Sequence, residues 1–374
     1  MKPNMKIDNS MKLNFVINNF ALFIVIFATL FIFSCTKERN HETNNEITES
    51  LLTLNITAGN EDSKKTKATG SSHGVQSDDN YVETLEIFVF RNDGGVDNGQ
   101  LDAYKKFSSN DGLTNLQIKT TTGSRIIYAV ANSHRDNWNG ITTLERFKSE
   151  MSSITLENVK KFTMAGSITS VLHTTSSITF SISRLVSRIK VDGIKTAFAG
   201  TPYSGMTLSG VKVYLTNVIA AKSFAENSDM DVPPILNYKK SILSDSQSCA
   251  MPGMIFESIA GEIGDAGFTQ PLYFYAYENL IASETPVSRY TRIVIEALLN
   301  GKTYYYPISI NREGFGYVSE NGHKGVKRNT AYQLKATIFR PGSTDPDKPL
   351  EPGTLSATLG IEDWSLTNSS DVEF

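Results

Sequence analysis

From about residue 50 onward, hydrophobic and polar residues alternate along most of the chain, which is the period of a β-strand with one buried face. The segments with this pattern, or with a short apolar run, are 51–59, 81–91, 115–120, 125–132, 207–217, 271–279, 292–310, 331–340 and 354–364. One helix is predicted in the first half, at 142–151, where Thr142 and Glu145 have the spacing of a capping box. The pattern therefore predicts an all-β protein made of β-sandwiches, with one or two short helices.

Two places in this pattern indicate how the strands are connected. Residues 176–194 are too long for one ordinary strand, so we predict two consecutive strands with a domain boundary near Val186. Asn300 and Gly301 form a dipeptide that favours a type I′ turn, which predicts a hairpin around them. The predicted domains are an N-terminal sandwich at 51–186 and a C-terminal sandwich at 187–340.

The first predicted strand, 51–59, is joined to the next one by an unusually long segment. Its apolar residues all point to one side of the strand, and they are Leu52, Leu54, Ile56 and Ala58. The polar loop 60–80 follows, and loops of this length in compact domains are usually functional or disordered. The loop contains three lysines, namely Lys64, Lys65 and Lys67. The strand is therefore a candidate for displacement once this loop is cut.

The last predicted strand, in the region 354–374, repeats the pattern of the first. Its alternating apolar residues are Leu355, Ala357, Leu359 and Ile361. The preceding region, 341–353, has four prolines and no apolar periodicity, which predicts a stiff, extended linker. Either strand could place four apolar side chains in one groove, because side chains alternate with period two. The pattern thus favours strand exchange, in which the last strand of a neighbouring copy replaces the first strand, head to tail.

A simpler interpretation of the two end strands remains open. The first strand is then an ordinary edge strand of the N-terminal sandwich. The last strand is an ordinary C-terminal strand of the second domain. The alternation of apolar and polar residues is the same in both interpretations, so the pattern alone does not decide between them.

The N-terminal residues 1–34 are predicted to be a signal peptide and not part of the fold. Three lysines precede the apolar run 20–33, and they are Lys2, Lys6 and Lys12. The run ends in the sequence IFSC, which resembles the lipobox of bacterial lipoproteins and predicts lipid attachment at Cys35. A free or buried cysteine is the alternative. The polar residues 35–50 are expected to form a flexible tether.

Composition and motif spacing exclude several classes of function. The 374 residues carry a net charge of −3, which gives no reason to expect a nucleic-acid partner. The five histidines are scattered singly, so neither a metal site nor a cofactor is predicted. Catalytic motifs are also missing, and we expect no enzyme activity. Cys249 is interpreted as a free structural cysteine.

A different class of function is a surface lipoprotein that binds glycans or a host and never polymerises. Its candidate binding face is a stripe of tyrosines at strand spacing, formed by Tyr273, Tyr275 and Tyr277. Aromatic side chains at this spacing bury large apolar areas, and such a stripe is more often part of a hydrophobic core than a binding surface. We therefore interpret the tyrosines as core residues.

Four blocks of sequence, together with the lipobox, resemble the fimbrillin family, the FimA-type and Mfa-type subunits of type V pili. The blocks are 182–191, 304–312, 326–343 and 355–366. The resemblance implies two tandem transthyretin-like β-sandwich domains and export as a lipoprotein to the outer membrane, ending in a cell-surface fimbrium. It also implies other fimbrial subunits as partners, with adhesion as the outcome. In shaft subunits of the family, a trypsin-like protease cuts after an arginine, and the C-terminal strand of an adjacent subunit replaces the first strand.

One departure from the family pattern leaves the role of the subunit open. The loop 60–80 contains no arginine, and Arg39 lies before the first strand. Processing is therefore expected at Lys64, Lys65 or Lys67, or else the subunit is not cut there. A cut subunit belongs to the shaft, whereas an uncut one keeps its lipid and acts as an anchor. A tip subunit, with a host or bacterial receptor, is the third family role.

Overall fold

The structure is a computed structural model of the whole chain. It describes residues 47–58, 80–225, 235–237, 246–248, 253–285, 288–312, 322–348, 350 and 353–364. The lipidation site Cys35, the three loop lysines (Lys64, Lys65 and Lys67) and Cys249 lie outside the described residues. Their roles therefore stay predictions.

The described residues are mostly β-strands, and the predicted all-β class is confirmed. In the first half the strands are β1 (Glu49–Ala58), β2 (Thr84–Arg91), β3 (Leu101–Ser108), β4 (Leu116–Thr121), β5 (Gly123–Ala131), β6 (Met151–Ser153), β7 (Met164–Leu172) and β8 (Thr175–Arg184). Next come β9 (Val186–Thr196), β10 (Ser209–Thr216), β11 (Val218–Ile219), β12 (Ala221–Ser223), β13 (Ile235–Asn237), β14 (Ser246–Ser248) and β15 (Phe256–Ser258). The last are β16 (Leu272–Tyr277), β17 (Asn279–Leu280), β18 (Arg292–Leu299), β19 (Lys302–Ser309), β20 (Gly325–Val326), β21 (Thr330–Ile338) and β22 (Leu355–Asp363).

The strands of the first half form a sheet in the order β3-β2-β5-β7-β8-β1-β4. The sheet curls until its two outermost strands meet, where Lys105 Nζ on β3 donates to the Gln117 carbonyl on β4 at 2.8 Å. A separate hydrophobic core lies inside, with side chains from all seven strands. Strand β8 connects the strands β3, β2, β5 and β7 to the strands β1 and β4. It pairs with β1 along residues 175–182 and with β7 only at Ser183 and Arg184.

The second half contains two four-stranded sheets that share a second core. Their orders are β15-β10-β18-β19 and β16-β9-β21-β22. Buried residues of both sheets belong to this core, for example Val213 on β10 and Leu334 on β21. The predicted hairpin is confirmed: β18 and β19 pair around Asn300 and Gly301, which have φ angles of 51° and 76°. Positive φ at both positions is what a type I′ turn requires.

The long run 176–194 is two strands, as predicted, because β8 ends at Arg184 and β9 begins at Val186. The residues from Ile47 to Phe374 belong to one compact unit. Its two halves are joined where β6 pairs with β12 and where aromatic residues of the first half enter the second core. The division into two domains at Val186 stays a prediction.

The predicted helix is shorter than expected and begins one residue later. Helix α1 covers Leu144–Lys148, and its N-cap is Thr143, whose hydroxyl accepts from Arg146 N at 3.2 Å. The expected cap, Thr142, instead accepts a hydrogen bond from Leu101 N through its carbonyl. The predicted C-terminal end does not form because Met151 begins β6. Pairing with β12 thus competes successfully with the weak preference for helix.

Candidate assembly site

Strand β1 lies inside the sheet and not at its edge. It pairs antiparallel with β4 from Glu49↔Thr121 to Leu54↔Leu116, and parallel with β8 from Leu51↔Thr175 to Ala58↔Ile182. The interpretation of β1 as an ordinary edge strand is therefore wrong. Removing β1 would break two ladders and separate β4 from β8.

The side chains of β1 fill the centre of the first core. Leu52 and Leu54 are 0% exposed and Ile56 is 4% exposed, whereas Ala58 at the strand end is only partly buried. The opposite face carries Leu51, which is exposed, and partly buried polar residues. At about 1.5–3 kcal/mol for each large aliphatic side chain, the three buried residues contribute about 5–9 kcal/mol of apolar burial. A chain that lost β1 would expose this much of its core to water.

Strand β22 is an edge strand with a single partner among the described strands. It pairs antiparallel with β21 from Thr330↔Asp363 to Ile338↔Leu355. The predicted apolar residues share its inner face: Leu359 is buried, and Leu355, Ala357 and Ile361 pack partly buried against the second core. The last strand thus lies on its own subunit in this structure.

Trp364, directly after β22, anchors the C-terminal end of the strand. Its ring is 1% exposed and lies 5.5 Å from the Phe162 ring and 5.9 Å from the Tyr275 ring, centroid to centroid. The guanidinium carbons of Arg184 and Arg188 lie 4.3 Å and 5.0 Å from the centre of the same ring. Because these neighbours come from both halves of the chain, the anchor ties β22 to the place where β8 meets β9. The alternating pattern did not reveal this anchor.

The region predicted to be an extended linker is attached to the body of the protein. Ser343 and Tyr305 exchange two backbone hydrogen bonds of 2.8 and 2.9 Å, and Arg292 binds the Asp347 carboxylate at 2.6 Å. Gly342 fits closely there, since a Cβ atom on it would lie 2.4 Å from the Tyr305 carbonyl oxygen. The described part of 341–353 is therefore bonded to the second half of the chain, and its assignment as a linker stays a prediction.

The model of the family described as "Major fimbrial subunit protein (FimA)" matches residues 52–216, so the match begins at the first buried apolar residue of β1. Over these residues, slightly less than half of the chain, the sequence matches the fimbrillin family. "Major fimbrium subunit FimC" of Porphyromonas gingivalis is 26% identical over 362 residues, which cover 93% of this chain and 70% of that relative. "Major fimbrium subunit FimA type-2" of the same species is 31% identical over 75 residues, covering 19% of this chain and 20% of the relative.

The crystal structure of a fimbrilin (FimA) from Porphyromonas gingivalis W83 has a TM-score of 0.61 to this protein at 15% sequence identity. The comparison covers 84% of this chain and 97% of the other one, and it shows a shared fold. The family and its curated relatives are structural subunits of fimbriae, so the prediction that the chain is not an enzyme is confirmed through them.

The tyrosine stripe of this protein is part of the core. Tyr275 and Tyr277 are buried, and Tyr273 is partly buried. The Tyr277 hydroxyl donates to Glu157 at 2.7 Å, a contact that joins β16 to the first half. Burial raises the pKa of Glu157, and the hydrogen bonds that it accepts from Thr163 and Tyr277 offset only part of this effect. The idea of a sugar-binding tyrosine face is wrong.

The part of the chain that the structure describes offers neither a metal-binding cluster nor a membrane-spanning helix. Within those residues, His, Cys, Asp and Glu form no group of three or more that could bind a metal ion. The same residues include no helix with the length and hydrophobicity needed to cross a bilayer.

Proposed function

We propose that this fimbrillin is a subunit of a cell-surface fimbrium and that it polymerises by donor-strand exchange. The observation that carries the proposal is the place of β1. It fills the centre of the first core and pairs on both sides, yet it reaches β2 only through the long segment 59–83. Such a strand can leave without breaking a tight turn, and it leaves a groove between β4 and β8.

In the proposed sequence of events, the chain is exported as a lipoprotein with its lipid on Cys35. A trypsin-like protease then cuts the loop at Lys64, Lys65 or Lys67, and the fragment with the lipid and β1 is released. Strand β22 of a neighbouring subunit enters the groove, with Leu355, Ala357, Leu359 and Ile361 directed into the core. The contact is head-to-tail, so it continues into a filament rather than closing into a ring.

The composition of the two strands explains why cutting would control assembly. Both β1 and β22 offer two leucines, one isoleucine and one alanine on their apolar faces. The apolar burial that each can provide is therefore about equal. While the loop is intact, β1 competes at an effective concentration on the order of millimolar, which a separate donor cannot match. Cutting the loop removes this advantage.

The pairing of β22 on its own subunit supports the direction of the exchange. There it pairs at nine positions with β21 alone, whereas β1 pairs at six positions with β4 and at eight with β8. At about 1 kcal/mol for each net hydrogen bond, moving from the edge to the groove favours the donor strand by a few kcal/mol. Its partly exposed apolar residues would also become buried.

A lipid-retained anchor is the second candidate, and the absence of arginine from residues 60–80 favours it. The mature N-terminus of protein taken from the cell surface separates the two, by intact mass and terminal sequencing. A start directly after Lys64, Lys65 or Lys67 supports the shaft subunit. A start at lipidated Cys35 supports the anchor and contradicts release of β1.

The donor assignment has its own experiment. Replacing Leu355 and Leu359 together by Asp is expected to abolish polymerisation, because two charges cannot enter the apolar groove. Replacing Ser356 and Thr358 by Asp is the matched control, since these residues lie on the exposed face of the same strand. Filaments of normal length from the first variant would contradict the assignment.

A further inference from the structure

Strand β4 depends on β1 for its position in the sheet. It is the last strand of the seven, and within the described sheet its one ladder is the one with β1. When β1 leaves, β4 keeps no strand neighbour, although it must still form one wall of the groove. The proposed exchange therefore requires something other than a ladder to hold β4.

The carboxylate of Asp102, on β3, binds the end of β4. One of its oxygens, Oδ2, accepts from Thr121 N at 2.9 Å and from Thr121 Oγ1 at 2.8 Å, and it also accepts from Thr120 Oγ1. Burial alone would raise the pKa of Asp102, but these hydrogen bonds and one from Arg125 outweigh it and lower the pKa. The group is therefore charged at neutral pH, and hydrogen bonds to a charged acceptor are the stronger kind.

Arg125, on β5, connects this carboxylate to the middle of the sheet. Its side chain is fully buried, and its Nε donates to Asp102 at 3.0 Å. The same guanidinium donates to Thr121 Oγ1 at 2.6 Å and to the carbonyl of Thr122 at 2.7 Å. Strand β5 pairs with β2 and β7 and does not pair with β1, so its place in the sheet does not depend on the strand that leaves.

Lys105 provides a second attachment near the other end of β4, through the hydrogen bond from its Nζ to the Gln117 carbonyl. Asp102 and Lys105 thus occupy backbone groups on the side of β4 that faces away from β1. A strand edge with occupied backbone groups is also a poor template for adding a strand in the wrong place. The groove left by β1 is then the place next to β4 where a donor can pair.

We infer that Asp102, held by Arg125, is a positioning residue that keeps β4 in place while the groove is empty. This inference rests on the proposed strand exchange. Asp102 does not touch the donor strand. It acts through β4, which pairs with whichever strand occupies the groove, and without it β4 detaches after β1 has left and the groove collapses.

The experiment uses the whole chain with a site-specific protease sequence inserted between β1 and β2. After cutting, a fluorescent synthetic peptide with the sequence of residues 353–366 is added, and its uptake is followed by anisotropy. The Asp102→Ala variant is expected to take up the peptide about tenfold more slowly than the wild type, or worse, as fits the loss of several charge-assisted hydrogen bonds. Before cutting, β1 still holds β4, so the uncut variant is expected to stay folded, with its urea midpoint lowered because buried Arg125 loses Asp102 and keeps Asp93.

The matched control is Asp265→Ala in the second half. Asp265 likewise accepts from a threonine hydroxyl, that of Thr196, and from a backbone amide, that of Phe198. It has no contact with β4 among its described partners, so this variant is expected to take up the peptide at the wild-type rate. Equal uptake by wild type and Asp102→Ala, or equal slowing by Asp265→Ala, would overturn the inference.

A second measurement separates this inference from the proposed function. Hydrogen exchange of residues 115–121 is followed by mass spectrometry in the cut protein. If β1 stays bound after cutting, the same measurement is made with Leu54→Asp, which weakens the binding of β1 to the core. The positioning role is supported if β4 stays protected in the protein that has Asp102 and exchanges about tenfold faster in the Asp102→Ala variant. This holds even if the wild type takes up no peptide. In that case donor-strand exchange itself is wrong. Identical exchange rates in the two proteins contradict the positioning role.

Discussion

Replacing Trp364 by Ala is expected to release β22 from its own subunit without unfolding the rest of the protein. The ring is fully buried among Phe162, Tyr275 and two arginines, so its loss removes apolar contacts and two cation–π contacts together. Truncating a buried Trp to Ala costs about 3–5 kcal/mol. The remaining attachments of β22 are one ladder, the buried side chain of Leu359 and the partly buried side chains of Leu355, Ala357 and Ile361.

The size of this effect can be estimated for local opening of the strand. Cation–π contacts of desolvated groups contribute about 2 kcal/mol each, and they are part of the total cost given above. If the whole cost falls on β22, the open fraction of the strand rises by a factor of about 100–4,000, since 1.4 kcal/mol corresponds to tenfold. Peptides that cover 355–363 are therefore expected to exchange their amide hydrogens far faster, while those of β9 and β16 stay protected.

The assay is hydrogen exchange by mass spectrometry on the whole chain, combined with the polymerisation rate of the cut protein. Trp364→Phe, which keeps an aromatic ring in the same place, is expected to give a smaller effect. Trp138→Ala is the control for general destabilisation, because Trp138 is also a buried ring beside an arginine but has no contact with β22 among those described. Equal exchange of β22 in the wild type and in Trp364→Ala would refute the role of the anchor.

Three further predictions concern other parts of the chain. Gly342→Ala is expected to detach the region 341–348 from Tyr305, because the added Cβ would overlap the Tyr305 carbonyl; protease accessibility of this region measures the effect. Burial raises the pKa of Glu157, so above about pH 4.5 the folded wild type binds more protons than the unfolded chain and loses stability as the pH rises. Glu157→Gln removes this titration and is expected to make the loss of stability with pH smaller. Urea midpoints across this range measure it. Cys35→Ser is expected to shift the protein from the membrane fraction to the soluble one, as immunoblotting would show.

The sequence predicts the strands that bury one apolar face and misses strands that are held mainly by pairing with a neighbour. Leu52, Leu54 and Ile56 alternate regularly, and all three are core residues. Strand β3 has no such signal, because Phe107 is its one buried apolar residue, and pairing with β2 holds it in the sheet. Alternation reports burial, so it cannot show the place of a strand within its sheet.

The sequence predicts which residues of the two end strands belong to the candidate site, but not how these strands are held in the fold. The four apolar positions of each end strand follow from the pattern, whereas Trp364 stands outside it and finds its neighbours in distant parts of the chain. The positioning role inferred for Asp102 could not be found in the sequence either, because it depends on the meeting of the two outermost strands of a curled sheet. The prolines of 341–353 predicted a stiff, extended linker, but proline restricts the backbone without preventing the contacts that this region makes.

The position of β1 has a mechanical consequence for a filament built through that groove. A strand gripped on both sides, antiparallel to β4 and parallel to β8, carries tension along its own axis. A force in that direction shears both ladders, so all of their hydrogen bonds resist it together and do not break one after another. Strand β22 on its own subunit has one neighbour among the described strands and can be peeled from its end. The same nine residues would thus be easy to lift away before assembly and hard to pull out afterwards.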